Sequence, residues 1–242
     1  MLVLNECEHG RPFVCMESSV ISAARTAASA TLAAECLWLK KEKRVKALGF
    51  VGNGYIARTI CEFLLGTGWH IEELHLYDTE PTAEVEFASW IRRYGEFPRI
   101  QFEKRPEDLL RQCELAVFAT VASAPHVHDI SLLGHNPIIL HISLRDLAPD
   151  LILQAQNVVD DPIHALSANT SLHLTEQLMG DRGFVTCKLA DMLGGKVKRD
   201  PSRPAIFSPF GMGILDVAVG KWVYDRAVAA GRSLKIDNFF LE

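Results

Sequence analysis

The feature that most constrains this chain is a short apolar run ending in a glycine turn. Arg44 to Val51 (RVKALGFV) has charge before it and Gly52-Asn53-Gly54-Tyr55-Ile56-Ala57 after it, and a helical period resumes at Tyr55. A strand buried on both faces that runs into G-x-G-x-x-A and then a helix opens a parallel crossover unit. Gly52 permits the tight turn, and Gly54 lets an anion approach the backbone. Ala57 is small enough for helix to pack on strand, and the free N–H groups of the helix start face the anion.

The next strand ends at Asp78, twenty-one residues beyond Ala57. A carboxylate there accepts hydrogen bonds from an adenosine ribose. Thr79 and Glu80 supply no guanidinium for a 2′-phosphate, so the pattern favours NAD over NADP. Two other readings stay open at this point. The glycines alone also make a plain strand-to-helix turn, and methyltransferases hold S-adenosylmethionine with a similar turn and acid.

Around the turn the pattern alternates. Ser18 to Lys41 predicts one long Ala-rich helix, and Tyr55 to Leu65 a helix stopped by a left-handed cap at Gly66. Strands follow at Leu74 to Tyr77, Ile100 to Phe102, Leu115 to Val121, Ile138 to Ile142 and Asn157 to Val159. Helices are expected at Thr82 to Tyr94 and Pro106 to Gln112, with a short turn near Ile130. Strands separated by helices, without Asn-Gly hairpin signals, predict an α/β fold with a doubly wound parallel (Rossmann) sheet. Beyond Asp160 the chain reads as mostly helical or irregular. Gly194 to Pro204 is a boundary candidate, and Met212 to Ala230 a last long helix.

Composition removes whole classes of partner. A net charge of −5 leaves no overall basic field for nucleic acid or anionic lipid. No run approaches the ~18 apolar residues of a membrane span. Met1 to Cys15 carries Glu6, Glu8 and Arg11, unlike a signal peptide. The six cysteines are scattered, with no C-x-x-C pair, which suits a reducing, cytoplasmic setting. Small ligands or protein partners remain.

In an open parallel sheet, ligands lie beyond the carboxyl ends of the strands. Thr120-Val121-Ala122-Ser123 offers small residues there. Ser143-Leu144-Arg145-Asp146 offers the best acid/base candidate, Asp146, against the blander reading of an N-cap or a surface ion pair with Arg145. Asp160 and Asp161 precede Pro162 and read as structural, Asp161 as a helix N-cap. His126, His128, His135 and His141 lack a carboxylate or cysteine at ligand spacing, so they read as core and surface histidines rather than a metal set. Arg25 lies in an otherwise nonpolar helix, where it is either a salt-bridge partner or a fork for a substrate carboxylate.

These residues match a family. Arg25-Thr26-Ala27-Ala28-Ser29-Ala30, the glycine turn and Leu215-Asp216 resemble the ornithine cyclodeaminase/mu-crystallin family of NAD(P)-dependent enzymes. His141-Ile142-Ser143-Leu144-Arg145-Asp146-Leu147-Ala148-Pro149 and Phe207-Ser208-Pro209-Phe210-Gly211-Met212-Gly213 resemble its siderophore-pathway branch. That resemblance implies oxidation of N-(1-carboxy-2-aminoethyl)-L-glutamate with NAD, and hydrolysis to 2-oxoglutarate and L-2,3-diaminopropionate. It gives Arg25 a substrate carboxylate and Asp146 the acid/base role. It places Thr26, Gly52, Gly54, Tyr55, Ile56, Asp78, Thr120 and Ser143 on the NAD side.

The resemblance further implies a cofactor domain over 27–205. Residues 1–26 would be the remnant of a substrate domain and the start of a linker helix, and 206–242 a return helix and tail. Most of the leading substrate and dimerisation domain is expected to lie outside this sequence. A homodimer is expected where that domain is present, and its loss should expose apolar surface on the first and last long helices. The alternatives are a truncated NAD-binding module without catalysis, or another amino-acid dehydrogenase or cyclodeaminase of the family.

Overall fold

A computed structural model describes residues 1–94, 99–237 and 239. An antiparallel hairpin of β1 (Leu2–Asn5) and β2 (Pro12–Met16) leads into α1 (Ser19–Leu37). The first crossover unit is β3 (Arg44–Val51), α2 (Tyr55–Gly66) and β4 (His70–Tyr77), followed by α3 (Pro81–Ile91), β5 (Arg99–Phe102) and α4 (Pro106–Leu110). Then come β6 (Leu115–Phe118), β7 (Ile138–His141), α5 (Pro149–Gln154) and β8 (Gln156–Val159). The chain continues through α6 (Pro162–Ala165), α7 (Ser171–Met179), β9 (Val185–Lys188) and α8 (Leu189–Leu193), and closes with β10 (Ala205–Phe207) and α9 (Gly213–Ala229).

Eight strands form one parallel sheet in the order β5-β4-β3-β6-β7-β10-β8-β9. Chain order reverses between β3 and β6, so the loops leaving these two strands diverge and open a crevice at their carboxyl ends. Alternate residues of β3 feed two apolar layers. Leu48 and Phe50 pack with Ala27, Ala30, Ile60 and Leu64, whereas Ala47 and Val51 pack with Leu109, Leu110 and Leu151. Phe50, Phe87, Phe118 and Phe207 are fully buried, each stabilising the fold by about 1.5–3 kcal/mol. Gly49 sits under α4: a Cβ there would lie 2.2 Å from Leu109 Cδ2 and 2.8 Å from Cys113 Sγ.

Two compact units emerge. Thr26–Gly211 holds the sheet and its helices; Met1–Arg25 with Met212–Glu242 holds the hairpin and α9. In the second unit Gly220 of α9 meets Leu2, and Phe13 packs edge-on against Tyr224 at 5.3 Å. On α9, Ile214, Val217, Trp222 and Val228 are exposed. The hairpin has no counterpart in the sequence reading, because its turn carries no Asn-Gly signal. The Glu6 carboxylate closes it instead, accepting the N–H groups of Glu8 (2.6 Å), His9 (2.9 Å) and Arg11 (3.2 Å).

Other boundaries shift for local reasons. The left-handed residue after α2 is Gly68 (φ +88°), while Gly66 stays helical. β6 stops at Phe118, which leaves Thr120 and Val121 in a loop. β9 and β10 were not expected at all: four and three residues carry too little periodicity to read. β10 nevertheless inserts between β7 and β8, so Gly194 to Pro204 joins two elements of one sheet unit.

Candidate active site at the carboxyl edge of the sheet

The glycine turn leaves β3 beside the loop after β6. Gly52 has φ +85°, and a Cβ there would meet the Ala119 carbonyl oxygen at 2.6 Å, a backbone atom that cannot step aside. Gly54 has open space within 4 Å of its would-be Cβ, and no side chain caps the helix that starts at Tyr55. The first-turn N–H groups of α2 therefore face free space, as a diphosphate requires. Asn53 is fully buried, and its side-chain amide finds no partner among the described residues.

Asp78 is tied to the same turn. Its Oδ2 accepts the Asn53 N–H at 2.7 Å and its Oδ1 accepts the Glu80 N–H at 3.0 Å. Behind it, the Asp78 N–H donates to Glu84 Oε1 at 2.9 Å. Burial raises the Glu84 carboxyl, the Asp78 N–H bond opposes this, and the nearby Asp78 charge adds to it. Two carboxyl groups at the tip of β4 suit ribose hydroxyls and repel a 2′-phosphate. Gly54 and Tyr55 are exposed, and Ile56 is half-buried against the core. The open backbone cradle, the uncapped helix start and the ribose carboxylate fit a dinucleotide.

A different construction stands at the ends of β6 and β7. Asp146 is 0% exposed. Its Oδ1 accepts from Thr120 Oγ1 (2.5 Å) and lies 3.0 Å from His126 Nε2. Its Oδ2 accepts from Ser143 Oγ and lies 3.3 Å from His141 Nε2, which is also 3.2 Å from the Asp146 backbone nitrogen. His141 Nδ1 reaches Ser208 Oγ at 3.2 Å. Burial alone would raise the Asp146 carboxyl, but the bonds from His126, His141 and Ser143 outweigh it and hold the group well below the usual carboxylate range.

Backbone geometry fixes this cluster. Leu144 is held at φ +75°, its carbonyl accepting the Ser171 N–H at 2.7 Å, and Arg145 donates to the Ala168 carbonyl. The His126 and Val127 N–H groups both donate to the Asp146 carbonyl, at 2.9 and 3.0 Å. A left-handed leucine costs roughly 1–2 kcal/mol, and it persists because these bonds over-determine the turn.

Nine of the site residues singled out from sequence, Thr26, Gly52, Gly54, Tyr55, Ile56, Asp78, Thr120, Ser143 and Asp146, belong to the sheet unit. The Thr120 and Ser143 hydroxyls, expected on the cofactor side, are turned onto Asp146. Asp146 makes neither an N-cap nor a surface pair with Arg145. Asp161 does cap α6, accepting from Ile163 and His164, while Asp160 accepts the Phe210 and Gly211 N–H groups. Arg25 belongs to the other unit, where its Nε donates to Asp216 Oδ1 at 3.2 Å and its Nη2 to Ser22 Oγ. Thr26 follows it on α1, half-buried.

His126 and His141 are the residues the sequence reading missed, having been set aside as core and surface histidines. Their place just beyond β6 and at the last position of β7 was the available signal. Among the described residues no cluster of potential metal ligands occurs.

The sheet order, the glycine turn and the Asp78 carboxylate bonded to it define a Rossmann-type fold. The chain belongs to the ornithine cyclodeaminase/mu-crystallin family, whose model matches residues 1–231. It is 26% identical over 234 residues to N-((2S)-2-amino-2-carboxyethyl)-L-glutamate dehydrogenase of Staphylococcus aureus, covering 94% of this chain and 68% of that one. Among solved structures it resembles Thermococcus litoralis Delta(1)-pyrroline-2-carboxylate reductase in complex with NADH and L-proline (TM-score 0.85, 24% identity, 97% of this chain and 73% of that one). It also resembles an archaeal alanine dehydrogenase dimer with bound NAD (TM-score 0.85, 24% identity, 98% and 73%). Among the described residues no helix is long and apolar enough to cross a membrane.

Proposed function

We propose that this chain is an NAD-dependent oxidoreductase acting at the carbon–nitrogen bond of an amino acid, with N-(1-carboxy-2-aminoethyl)-L-glutamate as substrate and 2-oxoglutarate and L-2,3-diaminopropionate as products. The observation that carries this reading is the pairing, at neighbouring strand ends, of a dinucleotide cradle with a buried carboxylate ringed by two imidazoles. Gly52, Gly54 and the α2 N–H groups would hold the diphosphate, and Asp78 the adenosine ribose. When bound, NAD supplies a hydride acceptor.

The Asp146 cluster supplies what the chain itself must provide: it holds and moves protons at the substrate nitrogen and at attacking water. The family resemblance assigns Arg25 a substrate carboxylate, and within its own unit Arg25 pairs with Asp216. The activity of the staphylococcal relative supports the substrate choice, as do the two long motifs around Asp146 and Phe207.

The test is absorbance at 340 nm with NAD and the aminocarboxyethyl-glutamate, followed by identification of the two products. NADH formation with both products is expected. NADH binding without turnover of this compound, alongside reduction of pyrroline-2-carboxylate, would instead favour an imine reductase like the Thermococcus neighbour.

A further inference from the structure

We infer that His126 is the residue that exchanges protons with the substrate, and that Asp146 is a positioning residue that acts through it. This deepens the proposed function and rests on it for the identity of the reaction. Access separates the two residues. Asp146 is 0% exposed and both its oxygens are taken, Oδ1 by Thr120 and His126, Oδ2 by Ser143 and His141. A substrate nitrogen has no free lone pair on it to meet. Of the two imidazoles on this carboxylate, His141 is fully enclosed and its other ring nitrogen is spent on Ser208. The His126 side chain is 36% exposed.

The chemistry of the ring follows from the carboxylate. An ionised Asp146 can only accept, so the His126 nitrogen 3.0 Å from it, Nε2, carries the hydrogen. The lone pair of neutral His126 then sits on Nδ1, which bonds no described residue. Two backbone bonds from His126 and Val127 to the Asp146 carbonyl fix the ring's register over the carboxylate. Among the described residues Asp146 is the one ionic partner of His126, and His141 meets the same carboxylate from the end of β7. A buried acid that sets the tautomer of a half-open imidazole is the arrangement of a general base.

In the proposed reaction the secondary ammonium gives one proton to His126 Nδ1. The nitrogen electron pair then forms the C=N bond as the α-hydrogen departs with its two electrons, which NAD would accept when bound. Water adds to that carbon and loses one proton to solvent. The His126 imidazolium returns its proton to the nitrogen, and the C–N bond breaks with its electrons on the departing amine. The hydroxyl proton leaves as the ketone forms and ends on that amine. His126 finishes as it began.

Two measurements test this. In the ligand-free protein, 15N histidine spectra should show His126 at neutral pH protonated on Nε2 and bare on Nδ1, a preference lost in Asp146→Asn. A His126 protonated on Nδ1 would overturn the proposal whatever the enzyme turns over. In steady-state assays His126→Gln should lower kcat on the order of 100-fold or more, the low end of general-base effects. It should leave KM and NADH affinity within about twofold and remove the acid limb of the pH–rate profile. Added imidazole should restore part of the rate, and His128→Gln should behave as wild type. An unaltered kcat or acid limb in His126→Gln would refute the assignment. Failure of wild type on the glutamate substrate overturns the substrate reading alone, because the ring-nitrogen spectra still decide the role of His126.

Discussion

The two halves of the crevice are built from different materials. On the β3–β4 side the groups that face a ligand are mostly backbone: Gly52 held at positive φ, Gly54 in the open, and the uncapped start of α2, with the Asp78 carboxylate bracing the turn. On the β6–β7 side they are side chains, with one anion and four donors converging from two loops and a strand end. A backbone cradle depends on conformation and on the space that a missing side chain leaves, as at Gly54. A side-chain cluster depends on each member, because removing one leaves the others buried and unpaired. The first suits a constant ligand; the second suits chemistry.

The sharpest break in this contrast is Asp146→Ala. It strands two imidazoles and two hydroxyls, and it should destabilise the fold by about 3–5 kcal/mol, the range for breaking a buried charged pair. It should also abolish turnover, as read by denaturant unfolding and by assay. Asp146→Asn keeps the shape and should leave NADH binding intact. Because the folded state holds the Asp146 carboxyl below its free value, its contribution is complete above about pH 4 and fades as pH falls through the folded value. Asp146→Asn should therefore flatten the acid limb of stability. A limb as steep as wild type would mean that this carboxylate is not held as described.

Gly52→Ala comes next. Positive φ costs roughly 1–2 kcal/mol and forcing a methyl onto the Ala119 carbonyl adds about 1–3, so a loss of about 2–5 kcal/mol is expected by chemical denaturation. Gly54→Ala, two residues on, meets nothing and should leave stability within about 0.5 kcal/mol of wild type. NADH should bind it on the order of tenfold more weakly, since the new methyl occupies the diphosphate's approach. Equal stability losses at the two glycines would erase the distinction between a turn residue and a ligand-facing one. Asp78→Ala should give the smallest effect, a loss of roughly 0.5–1 kcal/mol in NADH affinity with the chain still folded.

The same contrast explains what could be read from the chain. The cradle is local: Gly52, Gly54 and Ala57 lie within six residues, and Asp78 ends the next strand, so one window shows the motif and its purpose. The Asp146 cluster gathers Thr120, His126, His141, Ser143 and Ser208 from three strand ends. Only Asp146 announced itself, by chemistry and by resemblance. His126 looked like one of several scattered histidines, because nothing in a linear sequence shows that its backbone N–H bonds the Asp146 carbonyl. Ser208 was hidden with β10, a strand of three residues whose partners, β7 and β8, are distant in the chain. The long helices and β3 were visible because each carries a full apolar period. The hairpin turn was not, since a glutamate side chain closes it.

A nicotinamide dinucleotide without a 2′-phosphate is expected to seat on the α2 start with its adenosine ribose against Asp78. Calorimetric titration of the wild-type chain with NADH and with NADPH addresses it directly. Saturable heat with NADH and far weaker binding of NADPH is the predicted result; no heat with either, or preference for the phosphorylated form, would contradict it.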